Sequence, residues 1–279
     1  MIPLEKYHAH GNDYLVAVES ELPLELTPAL VRAICDRHRG IGSDGILAAQ
    51  IDGSTRRLTI WNPDGSRAEK SGNGLRIFSR FLFDRGLVGA EPFEVELASD
   101  TVECRVQDDG RSIRVGMGRV RFDSAAIPVR GPRREVLNEP IEVDGAPLRF
   151  SAATIGNPHC VVLREHVDSS DARRFGPLLE AHPLFPNRSN VQFVQVLDRS
   201  TLRLEIWERG AGYTLASGSS RCAAVAVAHR LGLVDGSVRA LMPGGALDIE
   251  ISPGFDVRMT GPATRVARVE LTEEALRGD

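Results

Sequence analysis

Ser71 and Ser217 stand at matching places in the two halves of the chain. Each opens a Ser-Gly pair, Ser71-Gly72 and Ser217-Gly218, and each pair lies downstream of an Ile-Trp pair, Ile60-Trp61 and Ile206-Trp207. The spacing from Trp61 to Trp207 equals the spacing from Ser71 to Ser217, and no other tryptophan occurs. Apolar, helix-like runs follow, Leu75 to Leu82 and Cys222 to Leu231. A duplicated strand–turn–helix unit puts each serine at a helix N-terminus, where amide groups and the helix dipole favour negative charge. Two matched side chains facing one ligand from opposite sides would suit isomerisation at a carbon centre.

The flanking residues add polar groups. Asn62-Pro63-Asp64-Gly65-Ser66 reads as a turn, and in Ser71-Gly72-Asn73-Gly74 the glycines permit close backbone approach to a ligand. Helix-start amides there could hold a substrate carboxylate. Arg37 to Gly45 is a second glycine-rich loop without phosphate-loop spacing. Gly156-Asn157-Pro158-His159 joins amide and imidazole at a strand start. Glu208-Arg209 follows the second Trp strand and reads as polar recognition or as a surface ion pair. Lys70 reads as a base beside Ser71 or as a solvated lysine. His8 and His10 share a strand face, but no third ligand is apparent and no metal site is expected.

The elements that must position these groups are mostly strands. Runs at Leu4 to His8, Tyr14 to Glu19, Ile46 to Ile51, Arg57 to Trp61, Phe93 to Leu97, Thr101 to Val106 and Ser112 to Val115 carry strand patterning. The second half repeats it at Leu148 to Ala152, Cys160 to Leu163, Val191 to Leu197, Leu202 to Trp207, Val238 to Met242, Leu247 to Ile251 and Val257 to Met259. Helices are predicted from Thr27-Pro28 to His38, from Ser71 to Gly86, from Ser170 to Ala181, and from Ser217 to just before Gly232. Ala126 to Pro140 reads as a crossing segment between domains. Thr264 to Leu271 is a last strand able to return to the first domain. The class is α+β.

With 279 residues, 42% hydrophobic and 26% charged, the chain has the composition of an ordinary globular protein. A net charge of −4 without a basic tract gives no reason to expect nucleic acid. No signal-peptide pattern or membrane-length apolar run is seen, so the cytoplasm is the expected compartment. Cys35, Cys104, Cys160 and Cys222 form no C-x-x-C pair and read as small buried hydrophobes.

These motifs together resemble the diaminopimelate epimerase family, pyridoxal-independent isomerases of lysine and cell-wall precursor synthesis. The resemblance rests on Lys6 to Tyr14 with Gly11-Asn12-Asp13, Cys35 to Gly45, Asn62 to Gly74, Gly156 to His159, Asn190-Val191, and Glu208 to Gly218. It implies two pseudo-symmetric domains, each a β-rich, barrel-like sheet around a helix, with the active site in the cleft between them. The expected domains are residues 1–120 with 263–279, and residues 121–262. The resemblance implies that Asn12, Asn62, Asn157, Asn190, Glu208 and Arg209 bind an amino acid or dicarboxylate. Amides near Gly72, Asn73, Gly218 and Ser219 would hold its reacting carboxylate. Catalysis would fall to Ser71, Ser217, His159 and Glu208. No cofactor, nucleic acid or membrane partner is implied, and a homodimer is compatible with the family.

The family carries a cysteine where this chain has Ser71 and Ser217. A thiol has a pKa near ~8.5, which a helix N-terminus lowers further. A hydroxyl is several units less acidic and needs an adjacent base. Neither Cys222 nor Cys160 fills the gap: Cys222 lies five residues beyond Ser217 on another helix face, and Cys160 points away from His159 in its strand. The sequence therefore leaves three readings open. They are two-base epimerisation, a one-base isomerisation, tautomerisation or elimination using His159, Glu208 or Lys70, and amino-acid binding without turnover.

Overall fold

The computed structural model describes residues 1–272 and 274–276. Of the 263–279 segment expected in the first domain, residues 273 and 277–279 lie outside the described residues. The chain divides into two units, Met1–Val115 with Gly261–Asp279, and Gly116–Thr260.

The first unit begins with β1 (Ile2–Ala9) and β2 (Asn12–Val18), an antiparallel hairpin. Its turn residues His10 and Gly11 both have positive φ, 54° and 88°, the mirror-image turn that matches strand twist. Helix α1 (Pro28–Cys35) is capped by Thr27, whose hydroxyl accepts from the Leu30 amide. It stops short of His38 because the Asp36 carboxylate takes the amides of His38 and Arg39, pulling them out of helical register. Strand β3 (Ile46–Asp52) runs parallel to β2 and antiparallel to β4 (Thr55–Trp61), which also pairs with the short β5 (Arg67–Ala68). Helix α2 (Gly72–Asp84) buries ten of its thirteen residues. Phe78 and Phe81 are among them, and each such burial is worth about 1.5–3 kcal/mol. Strands β6 (Phe93–Glu96), β7 (Thr101–Gln107) and β8 (Ser112–Arg119) follow as a meander, with β6 parallel to β4.

The second unit repeats this order. An antiparallel pair, β9 (Glu139–Val143) and β10 (Ala146–Thr154), leads to β11 (Pro158–Leu163), antiparallel to β10. Helix α3 (Ser169–Glu180) is followed by β12 (Asn190–Asp198), parallel to β11, and β13 (Thr201–Glu208), antiparallel to β12. The short β14 (Gly212–Thr214) precedes helix α4 (Gly218–Arg230). Strands β15 (Ser237–Met242), β16 (Gly245–Ile251) and β17 (Asp256–Gly261) close the unit, with β15 parallel to β13. Helix α4 is enclosed, packing against β10, β11, β12, β13, β15 and β16. That is why its alanines and valines are buried all round. Strand β18 (Thr264–Leu271) returns to the first unit, antiparallel to β1.

The α+β class holds: sheets of mixed direction carry four α-helices among the described residues. The segment from Ala126 to Pro140 does not cross between domains. It folds into the second unit, where Val129 and Val136 are buried in the core and Val136 donates to the Phe122 carbonyl. Apolar side chains interleaved with its prolines anchor what the turn-forming residues alone present as a linker. Among the described residues no helix is long and apolar enough to cross a membrane.

Candidate functional site

In the first unit Ser71 is the N-cap of α2, with an extended backbone, and its Oγ accepts from the Gly74 amide at 3.0 Å. A Cβ at Gly74 would approach Ser71 Oγ to 3.3 Å and Leu47 to 3.1 Å, so this position favours glycine. The amides of Gly72 and Asn73 lie in the first turn, where no intrahelical acceptor exists, and remain suited to a carboxylate. The buried Asn73 side chain is fixed at both ends. Its Nδ2 donates to Asn12 Oδ1 at 3.1 Å, and its Oδ1 accepts from the fully buried Arg76 at 2.7 Å. Asn12 Nδ2 donates in turn to Asp44 at 2.8 Å.

Behind these amides lies an ionic cluster. Arg37 pairs with Asp13 and with Asp44, each at 2.7 Å, and Lys6 pairs with Asp13 at 2.9 Å. Burial works against the Asp13 charge, but hydrogen bonds from Arg37 and Lys6 hold its carboxyl below the usual range. The glycine-rich loop from Arg37 to Gly45 thus serves to brace Asn12. Asn62 is placed differently: its Nδ2 donates to Ser66 Oγ at 2.9 Å within its own turn. Lys70 pairs with Asp100 at 3.0 Å.

In the second unit strand alternation sorts the groups. Trp207 and Glu208 are consecutive in β13, so they face opposite sides of the sheet. Trp207 packs on Gly176 of α3, where any Cβ would come within 2.5 Å of the Trp207 Cβ, and its Nε1 donates to Glu180 at 2.7 Å. Glu208 is directed instead to α4, where Ser217 is the buried N-cap and its hydroxyl stands beside the Glu208 carboxyl, favouring the charged form. Withdrawal from solvent raises the Glu208 pKa, partly offset by the neighbouring Ser217 hydroxyl. Ser217 Oγ also accepts from the Ser220 amide at 3.4 Å. The surface ion pair entertained for Glu208 and Arg209 is not how these groups are engaged, since the Arg209 guanidinium donates to the Asn187 carbonyl at 3.1 Å.

His159 is fully buried at the start of β11, 2.9 Å from Asn157 Oδ1 and 3.1 Å from Gln192 Nε2. Asn157 Nδ2 reaches Ser219 Oγ at 3.5 Å. Asn190 donates to the Pro158 carbonyl at 2.9 Å and accepts from the Arg209 amide at 3.0 Å. One charged side chain lies deeper: Arg221, one turn below Ser217 and fully buried, donates to the Gly245 carbonyl at 2.9 Å. Desolvation pushes its pKa down to about 10.

The diaminopimelate epimerase family model matches residues 4–122 and 151–266. The chain belongs to the diaminopimelate epimerase family. Diaminopimelate epimerase 2 of a Nostoc species is 55% identical over 96% of this chain and 95% of that protein. Diaminopimelate epimerase of Moorella thermoacetica is 42% identical over 94% of this chain and 96% of that protein. Among solved structures, a hydroxyproline epimerase from Agrobacterium vitis with bound trans-4-hydroxy-L-proline superposes with a TM-score of 0.67. At 16% identity, over 96% of this chain and 90% of that one, it shares the fold.

Three groups of expected site residues are brought together within the units. Ser71, Gly72, Asn73 and Asn12 meet at the start of α2. Ser217, Glu208, Gly218, Ser219, Asn157 and His159 gather at the start of α4. Asn190 and Arg209 form a third pair. Asn62 is joined to none of these by its side-chain amide. Arg76, Asp44 and Gln192, which hold these groups, were not anticipated. Arg76 had a signal, a guanidinium set between apolar neighbours, Leu75 and Ile77, in a helical run. The four cysteines are buried and none is in a disulfide. Burial pushes the Cys35 thiol up and the Cys104 thiol up to about 12, so neither is a ready base.

Proposed function

We propose that this chain is a cofactor-independent isomerase acting at the α-carbon of an amino acid, diaminopimelate or a relative. The observation that carries the reading is the placement of the Glu208 carboxyl beside the Ser217 hydroxyl at the start of α4. A serine hydroxyl is too weak an acid to work as a cysteine thiol does, and it needs a base in contact. Glu208 supplies one, and its raised pKa makes it a stronger base than an ordinary carboxylate once ionised.

In this reading the first-turn amides of α2 and α4 bind the substrate carboxylate and stabilise charge developing on it. As Ser217 Oγ takes the α-hydrogen, its own proton passes to Glu208, so one proton moves from carbon to carboxylate through the serine. Reprotonation by Ser71, which regains its proton from solvent as Glu208 releases its own to solvent, inverts the centre. Return of the proton from Ser217 restores the starting epimer. Asn12, Asn157, Asn190 and Arg209 bind the rest of the substrate, and Asn62 acts once its turn opens toward the ligand. The family resemblance supports placing the enzyme in lysine biosynthesis, in the cytoplasm and as a homodimer.

A second reading, a one-base isomerase, is favoured by Asn62. It stands at the same spacing before Ser71 as Glu208 stands before Ser217, so the first unit offers an amide where the second offers a carboxylate. Incubation with LL- and meso-diaminopimelate in D₂O separates the two. Deuteration with interconversion supports epimerisation, deuteration alone supports the one-base reading, and the absence of both contradicts each.

A further inference from the structure

We propose that Gln192 is a positioning residue that locks His159 as a neutral Nε2–H donor, so that His159 orients Asn157 toward the start of α4 instead of serving as a base. Gln192, His159 and Ser220 are all completely buried. The Gln192 amide nitrogen lies 3.1 Å from His159 Nδ1 and 3.1 Å from Ser220 Oγ. An amide nitrogen carries two hydrogens, and these two acceptors use both. His159 Nδ1 must then present its lone pair, which leaves the ring proton on Nε2. That proton faces Asn157 Oδ1, which lies 2.9 Å from Nε2. With its oxygen so engaged, Asn157 turns its Nδ2 to Ser219 Oγ.

The opposite amide orientation is disfavoured by its own orphans. As placed, Gln192 leaves one buried oxygen without a hydrogen-bond partner. Turned over, it would leave two buried N–H groups instead, and orphaned donors are the rarer and costlier defect. Burial, with the Arg209 charge as a lesser contribution, also holds the imidazole pKa down to about 3, so the ring stays neutral at physiological pH. Both ring nitrogens are occupied in hydrogen bonds, which leaves no lone pair for an α-hydrogen.

The test is the nitrogen NMR spectrum of the ¹⁵N-labelled full chain, with the His159 signals assigned by their loss in His159→Gln. The expected spectrum has a pyridine-like Nδ1 and a pyrrole-like Nε2, unchanged across the neutral range. A protonated Nδ1 or an imidazolium overturns the proposal. Gln192→Glu places an acceptor opposite Nδ1 and should move the proton there, lowering kcat/KM for diaminopimelate roughly tenfold as Asn157 loses its orientation. Full activity in a folded Gln192→Glu enzyme also overturns it. Only this kinetic arm rests on the isomerase reading. A wild-type chain with the expected tautomer and no turnover would defeat that reading and leave the lock standing.

Discussion

Ser217 stands beside the Glu208 carboxyl, whereas Ser71, its counterpart in the first unit, takes the Gly74 amide and is preceded at the matching distance by Asn62. The two helix starts are alike in backbone and unlike in chemistry. One hydroxyl has a carboxyl beside it, and the other is engaged by a backbone amide of its own helix.

Replacing Glu208 by Gln keeps the volume and removes the base. We expect kcat to fall roughly 100-fold or more, the effect of losing a positioned general base. Stability should change the other way. A carboxyl whose folded pKa is raised binds its proton more tightly when folded, so the wild type loses stability as pH rises above the ordinary carboxylate range. Melting curves should therefore show Glu208→Gln gaining on the wild type toward neutral pH.

His159 gives the reverse pH dependence. Its folded pKa is depressed to about 3 from an ordinary 6.5, so the unfolded chain binds the proton more readily between these limits. The stabilisation from keeping it neutral is complete above the ordinary value and is lost as pH falls toward 3. In His159→Gln the melting temperature should fall less steeply over that interval. An unchanged slope would mean the ring accepts a proton in the folded state.

Lys70 adjoins Ser71 in sequence but is paired with Asp100, with the lysine side chain 19% and the aspartate 50% exposed. Such a pair contributes less than about 1 kcal/mol. Lys70→Ala should leave both melting temperature and kcat close to wild type. A collapse of kcat would identify Lys70 as the missing second base.

The helix starts were legible because serine caps, flanking glycines and two tryptophan strands repeat at one spacing, and local signals of this kind survive in sequence. The partners of those groups were not. Gln192 meets His159 and Ser220 through parallel pairing of β11 with β12 and packing of α4, and Asp44 reaches Asn12 across the β2–β3 connection. Contacts of that sort depend on tertiary register, which residue types and spacing do not encode locally. The short strands β5 and β14 escaped notice because two or three residues carry no period. The same limit hid the folded character of residues 126–140, where turn residues outnumber the apolar anchors.

The paired substitution Ser71→Cys with Ser217→Cys tests whether the pocket still fits the family's substrate. Thiols at helix N-termini ionise near neutrality without a partner base, so epimerisation of diaminopimelate should rise at least about tenfold over the serine enzyme. No increase in a folded variant would mean that the substrate is a different small carboxylate.

The most direct measurement follows the α-hydrogen of LL-diaminopimelate in D₂O, by NMR, with the wild type and with Glu208→Gln. The account predicts deuterium at the α-carbon with conversion to the meso form in the wild type, and loss of both in Glu208→Gln. Exchange that proceeds equally well without the Glu208 carboxylate, or a wild type that moves no proton at all, would contradict it.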